Sequence, residues 1–131
     1  RWNGKVYEVC ASKPIDEFCF DVAQQRMYTL SLLQRNSEVR EIAEKLLQAD
    51  LSDWYRATPT YYLGLVKKAS NDVQGAKEDL IWAGAHNEFY QQAILTQLEQ
   101  NGYYKGEVTD PWSKEAENGL EACLIDVDCM K

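Results

Sequence analysis

Only three prolines, Pro14, Pro59 and Pro111, interrupt a chain of 131 residues. Because proline is the residue that most firmly breaks a helix, and the interior is rich in Ala, Leu, Glu, Gln and Lys, long helical stretches are the natural reading. The strongest is the segment after Asn36 and Ser37, where either residue can cap. Val39, Ile42, Ala43, Leu46 and Leu47 recur there at the spacing of one helical face. A first helix is expected from Ser12 and Pro14 to about Arg35, with Ile15, Phe18, Cys19 and Val22 inward and Leu30 and Leu33 farther along. Pro59 suits the first turn of a third helix carrying Tyr62, Leu63 and Val66, and Ser70-Asn71-Asp72 marks a break before a helix ending at Gly84. The next spans His86 to Asn101, with Phe89, Tyr90, Ala93, Ile94 and Leu98 buried, and stops at Gly102; the last runs from about Ser113 to Leu124. The expected fold is all-α: one domain over residues 1–131, a bundle of five or six helices with Arg1 to Cys10 as a short extended arm.

Four cysteines, Cys10, Cys19, Cys123 and Cys129, sit in two local pairs near the ends. Three disulfide connectivities are open; Cys10 with Cys19 and Cys123 with Cys129 is favoured because each closes a short loop, whereas the crossed patterns tie the termini together. Four reduced thiols are the alternative. The spacings do not match paired zinc ligands, and His86 is the one histidine available to help. A chain that starts at Arg1 reads as processed or excised, and disulfides imply an oxidising, extracytoplasmic compartment, periplasmic or secreted. The net charge of -7 has the wrong sign for a nucleic-acid partner, and no apolar stretch reaches the roughly 20 residues of a membrane span.

Residues Ile94 to Cys123 read ILTQLEQNGYYKGEVTDPWSKEAENGLEAC. Leu98, Gly102, Tyr103, Tyr104, Gly106, Val108, Trp112, Ala116, Leu120 and Cys123 stand where the peptidoglycan-binding domain of bacterial cell-wall hydrolases has its helix-loop-helix residues, and the segment resembles that family. The resemblance implies a helix-loop-helix over residues 86–124 and a bacterial, wall-associated protein, with Tyr103, Tyr104 and Trp112 as ligand-binding residues against peptidoglycan sugars. The chain departs from the pattern at Thr109-Asp110, at Ser113 and at Lys114-Glu115-Ala116. A second resemblance, to Sel1-like and tetratricopeptide helical repeats, rests on Tyr62, Leu63, Gly64, Ala76, Trp82, Ala83 and Ala93, whose spacing drifts.

Catalytic signatures are sparse. His86, at the start of a helix, has no nucleophile motif beside it, and no Gly-rich phosphate loop, zinc-protease or EF-hand pattern occurs, so neither metal nor cofactor is expected. Asp126-Val127-Asp128 is too short to hold a cation alone. A lysozyme-like hydrolase needs two carboxylates, for which Glu17, Glu78 and Glu88 lie nearest apolar segments. The aromatic residues carry more information. They occur as neighbours at Trp54-Tyr55, Tyr61-Tyr62, Phe89-Tyr90 and Tyr103-Tyr104, and adjacent helical residues point about 100° apart, so some rings must reach the surface. The functional expectation is a non-catalytic binding protein, wall-associated, with an inhibitor or immunity-type protein acting on a basic protein partner as the alternative.

Overall fold

The computed structural model describes residues 16–107 and 112–130. Within them the chain is all-α, with six helices and no strand: α1 Glu17–Leu32, α2 Asn36–Leu47, α3 Asp53–Ala69, α4 Val73–His86, α5 Glu88–Gln100 and α6 Lys114–Ile125. The extended arm expected at Arg1 to Cys10 lies outside the described residues, as do Ile15, Val108 and Pro111.

Local chemistry sets the helix boundaries. Asp16 caps α1 by accepting from the Cys19 N–H at 2.8 Å, Asp72 caps α4 through the Gly75 N–H, and Ser113 caps α6 through the Ala116 N–H. α2 begins at Asn36 itself, after Arg35, with no side-chain cap. The turns after α1, α3 and α5 repeat one device. A residue in the left-handed region, Gln34, Asn71 and Gly102 respectively, lets the next residue's N–H bond back five positions: Arg35 to Leu30, Asp72 to Lys67, and Tyr103 to Leu98. Gly102 at φ 83° is where glycine was expected, and its missing Cβ would meet nothing within 4 Å, so only backbone conformation selects it.

Two of the expected boundaries are corrected. Pro59 does not open the third helix; it sits in the second turn of α3, which starts at Asp53 and absorbs Trp54 and Tyr55. One backbone bond is forgone there, while Arg56 fastens the start of α3 to α2 by donating from Nη1 to the Leu47 carbonyl at 3.1 Å. Likewise, His86 does not begin a helix. It is the last residue of α4, and Asn87 alone, in extended conformation, separates α4 from α5.

The inward face of α1 is also different: Cys19, Phe20, Ala23, Met27 and Leu30 are buried, while Phe18 and Leu33 are each 60% exposed. The pattern of α1 is apolar on two sides, and the side with Met27 packs better against Val39, Ile42 and Leu46 of α2. That apolar cluster extends to Tyr62, Leu63 and Val66 of α3. A second joins Ala76 and Leu80 of α4, Ile94, Leu95 and Leu98 of α5, and Ala116, Leu120 and Cys123 of α6. Small residues permit close approaches: a Cβ on Gly64 of α3 would lie 2.8 Å from Leu80 Cγ, and one on Gly84 of α4 would lie 2.6 Å from Trp112 Nε1.

Cys123 and Cys129 form the expected disulfide across the turn after α6, with Cα atoms 5.4 Å apart and both residues buried. Cys19 is disulfide-bonded as well; the partner expected for it, Cys10, lies outside the described residues.

Candidate functional site

The three residues expected to bind sugar do not form a common exposed face. Tyr104 is 4% exposed, packed among Leu98, Ala116 and Leu120, with its hydroxyl donating to the Glu107 carbonyl at 3.2 Å. Its ring is core, and no sugar can stack on it. Tyr103 is half-buried, and its hydroxyl donates to Asp126 Oδ2 at 2.7 Å. Trp112, also half-buried, lies against Gly84. The Asp126 carboxyl is held below its ordinary value of 3.8, first by the Asp128 N–H and then by Tyr103, while the same hydrogen bond pushes the Tyr103 hydroxyl up. Asp126 therefore locks the C-terminal turn; its backbone carbonyl also accepts from Lys68 Nζ of α3.

The adjacent aromatic pairs divide as their angular separation requires. Tyr90, Tyr62 and Tyr104 turn inward, whereas Phe89 is 64% exposed and Trp54 is 54% exposed. Phe89 thus leaves the buried face expected for it. Inside, Tyr90 joins three helices: its hydroxyl pairs with Thr58 Oγ1 of α3 at 2.9 Å and accepts from Gln24 Nε2 of α1 at 3.3 Å. Burial, with Tyr90 close by, pushes the Tyr61 hydroxyl up to about 12, and burial raises Tyr62 and Tyr90 in the same direction. These phenols are neutral structural groups between α1, α3 and α5.

Outside, the backbones of Trp54 and Phe89 are joined through Asn87. Its Oδ1 accepts the Phe89 N–H at 2.9 Å, capping α5, and its Nδ2 donates to the Trp54 carbonyl at 3.2 Å. Asn87 is itself 4% exposed, so the start of α3 and the start of α5 are joined by a buried amide. His86 borders the patch. It stacks on Trp82 with ring centroids 4.0 Å apart, and its Nδ1 lies 2.9 Å from the Trp82 carbonyl. A carbonyl can only accept, so Nδ1 carries the proton, and Nε2, 3.9 Å from Asp53 Oδ2, gains a proton to share only in the charged ring. Asp53 and Glu88 complete the rim, both exposed.

Two apolar rings flanked by carboxylates, on elements fixed by a buried hydrogen-bonded residue, make a preorganised contact surface. Glu17, Glu78 and Glu88 all lie on the solvated surface. Among the described residues no cluster of three or more His, Cys, Asp or Glu side chains is placed to hold a metal ion, and no helix is long and apolar enough to cross a membrane. Sequence reading named Trp54 and Phe89 as halves of aromatic pairs but missed Asn87, the residue that joins them; an Asn standing alone between two apolar helical runs was the available signal. Comparison with known proteins finds no family model, no curated protein and no solved structure that matches this chain.

Proposed function

We propose that the chain is a non-catalytic protein-binding module that takes a basic protein segment onto the Trp54–Phe89 surface. The observation that carries this reading is that two exposed rings, Trp54 and Phe89, stand at the starts of two helices whose backbones Asn87 joins. Trp and Phe supply large contact area at low entropic cost, and a tryptophan face attracts a Lys or Arg side chain. Asp53 and Glu88, within a chain of net charge -7, favour the same partner chemistry and speed its approach. The disulfide supports an oxidising, extracytoplasmic location.

Peptidoglycan binding, the other reading, loses the ring of Tyr104 to the core and the hydroxyl of Tyr103 to Asp126. One experiment separates the two. Wild type and Trp54→Ala/Phe89→Ala are immobilised and exposed to extracytoplasmic extract, and the same proteins are mixed with insoluble sacculi. A basic protein retained by wild type and weakened about 30-fold or more by the double variant supports the proposal, since truncating one hot-spot ring typically costs about 2 kcal/mol or more. Sedimentation with sacculi that Trp112→Ala abolishes and Trp54→Ala/Phe89→Ala leaves intact overturns it.

A further inference from the structure

The outer face of α1 carries a pattern that has the same chemistry read from either end. Phe18, Gln25 and Leu32 stand at a seven-residue spacing. With successive helical residues about 100° apart they form one line, opposite the buried side of Phe20, Ala23 and Met27. Phe18 is 60% exposed and Leu32 is 65% exposed, with Gln25 exposed between them. Asp21 and Tyr28 border the line on one side, Val22 and Thr29 on the other. Gln25 is the centre of the pattern: Phe18 and Leu32 lie equally far before and after it, as do Asp21 and Thr29, and Val22 and Tyr28.

We propose that a second copy of this chain docks on this face, with the two α1 helices antiparallel about a twofold axis at Gln25. A twofold contact presents one surface to itself, so every side chain in it needs its complement on the same helix. Reversal about Gln25 supplies each one. The axis stands perpendicular to the plane of the two helices and keeps each flank on its own side. Phe18 of one copy therefore meets Leu32 of the other, Asp21 meets Tyr28, Val22 meets Thr29, and the two Gln25 amides face each other. The chemistry matches at every pair: apolar against apolar, a carboxylate that accepts from a phenol hydroxyl, methyl against methyl, and amides that each donate and accept. Phe18 and Leu32 stand about 21 Å apart along the helix at about 1.5 Å per residue, so an apolar contact closes both ends of the seam. The parallel arrangement instead sets Asp21 against Asp21, which repels. The apolar side chains expose about 300 Å² per copy, the size of patch that marks interaction sites on monomers. Against this, a net charge of -7 on each copy opposes association. The contact is consequently reversible and grows stronger when salt screens that repulsion.

The first test is sedimentation equilibrium of the full chain over a range of concentrations. A monomer–dimer equilibrium that strengthens with salt is expected. Gln25→Lys sets two like charges against each other at the axis and should weaken the dimer about tenfold or more, whereas Gln25→Leu should strengthen it. Position 25 is exposed, so helix content by circular dichroism should be unchanged in both variants. A chain that stays monomeric, or a dimer that Gln25→Lys leaves intact, overturns the proposal. Orientation is read with benzoylphenylalanine in place of Leu32, photolysed in a mixture of isotopically heavy and light protein. Crosslinks between heavy and light copies that reach Glu17 to Val22 are expected. Crosslinks between copies that reach Thr29 to Leu33 instead mean parallel packing, and crosslinks confined to one chain mean that the chain's own residues cover the face; either result refutes the antiparallel seam.

Discussion

The approach of α3 to α4 at Gly64 can be measured by a double-mutant cycle. Gly64→Ala has two opposed effects. In a helix interior, alanine is favoured over glycine by about 1 kcal/mol. The new methyl, however, lies 2.8 Å from both Cγ and Cδ2 of Leu80 and 3.3 Å from Asp79 Cβ. Leu80 is fully buried and Cγ is not the free end of its side chain, so the clash cannot be relieved by rotating a tip; overpacking of this kind costs about 1–3 kcal/mol. The balance in wild type is a loss of about 1 kcal/mol. Leu80→Ala alone should cost about 2–5 kcal/mol through the cavity it leaves. In that background the two Leu80 atoms are gone, only Asp79 Cβ at 3.3 Å stays close, and the helical preference dominates, so Gly64→Ala should stabilise by up to about 1 kcal/mol. The sign of the Gly64 effect thus reverses, with a coupling energy of about 2 kcal/mol. Urea denaturation of the four proteins, followed by circular dichroism, supplies the numbers. An equal Gly64→Ala effect in both backgrounds, within about 0.5 kcal/mol, refutes the contact.

Gly102→Val should destabilise by at least about 1 kcal/mol and Gly102→Asn by much less, because the penalty is purely that of a left-handed backbone; thermal melts of the two variants decide this. Cys123→Ala/Cys129→Ala should cost about 2 kcal/mol, as expected for a short closed loop, and an unchanged urea midpoint would contradict it. Asp126, lowered in the folded state, stabilises above the unfolded aspartate value, and that contribution is lost as pH falls through the lower folded value. Asp126→Asn should accordingly flatten the decline in urea midpoint between about pH 5 and pH 2.

What the sequence revealed follows from how uniquely each pattern points. In α2 the apolar positions Val39, Ile42, Ala43 and Leu46 admit one inward face, and that face is buried. α1 admits two, because Phe18 and Val22 form one stripe and Phe20, Ala23 and Met27 another; only packing against α2 chooses between them. Pro59 signals a helix start by its missing N–H, yet α3 runs through it from Asp53, and the packing of Ala57, Thr58 and Pro59, all buried, offsets the lost bond. The contact surface was half legible. Adjacent aromatic residues announce that one ring must emerge, but which of Phe89 and Tyr90 emerges depends on where Thr58 and Gln24 lie, and those come from helices distant in sequence. Tyr104 shows the same dependence, since the residues that bury it belong to α5 and α6.

The interior holds two large apolar clusters and a small third of Ala57, Ala83 and Tyr90, and that division has a kinetic and energetic corollary. Tyr61 and Leu65, one turn apart on the same face of α3, are partly buried residues that pack against both large clusters. Each cluster is closed by neighbouring helices, so its loops are short to close and its formation is not contingent on the far end of the chain. The molecule is thus organised as two cooperative units sharing a single helix. Exchange of backbone amides in α1 and α2 should then report one opening free energy, those in α5 and α6 another, and α3 should retain its protons longest. A partner seated at Trp54 and Phe89 grips the shared helix and the second unit together, so its binding energy would be added to the opening of α5 and leave that of α1 and α2 nearly unchanged.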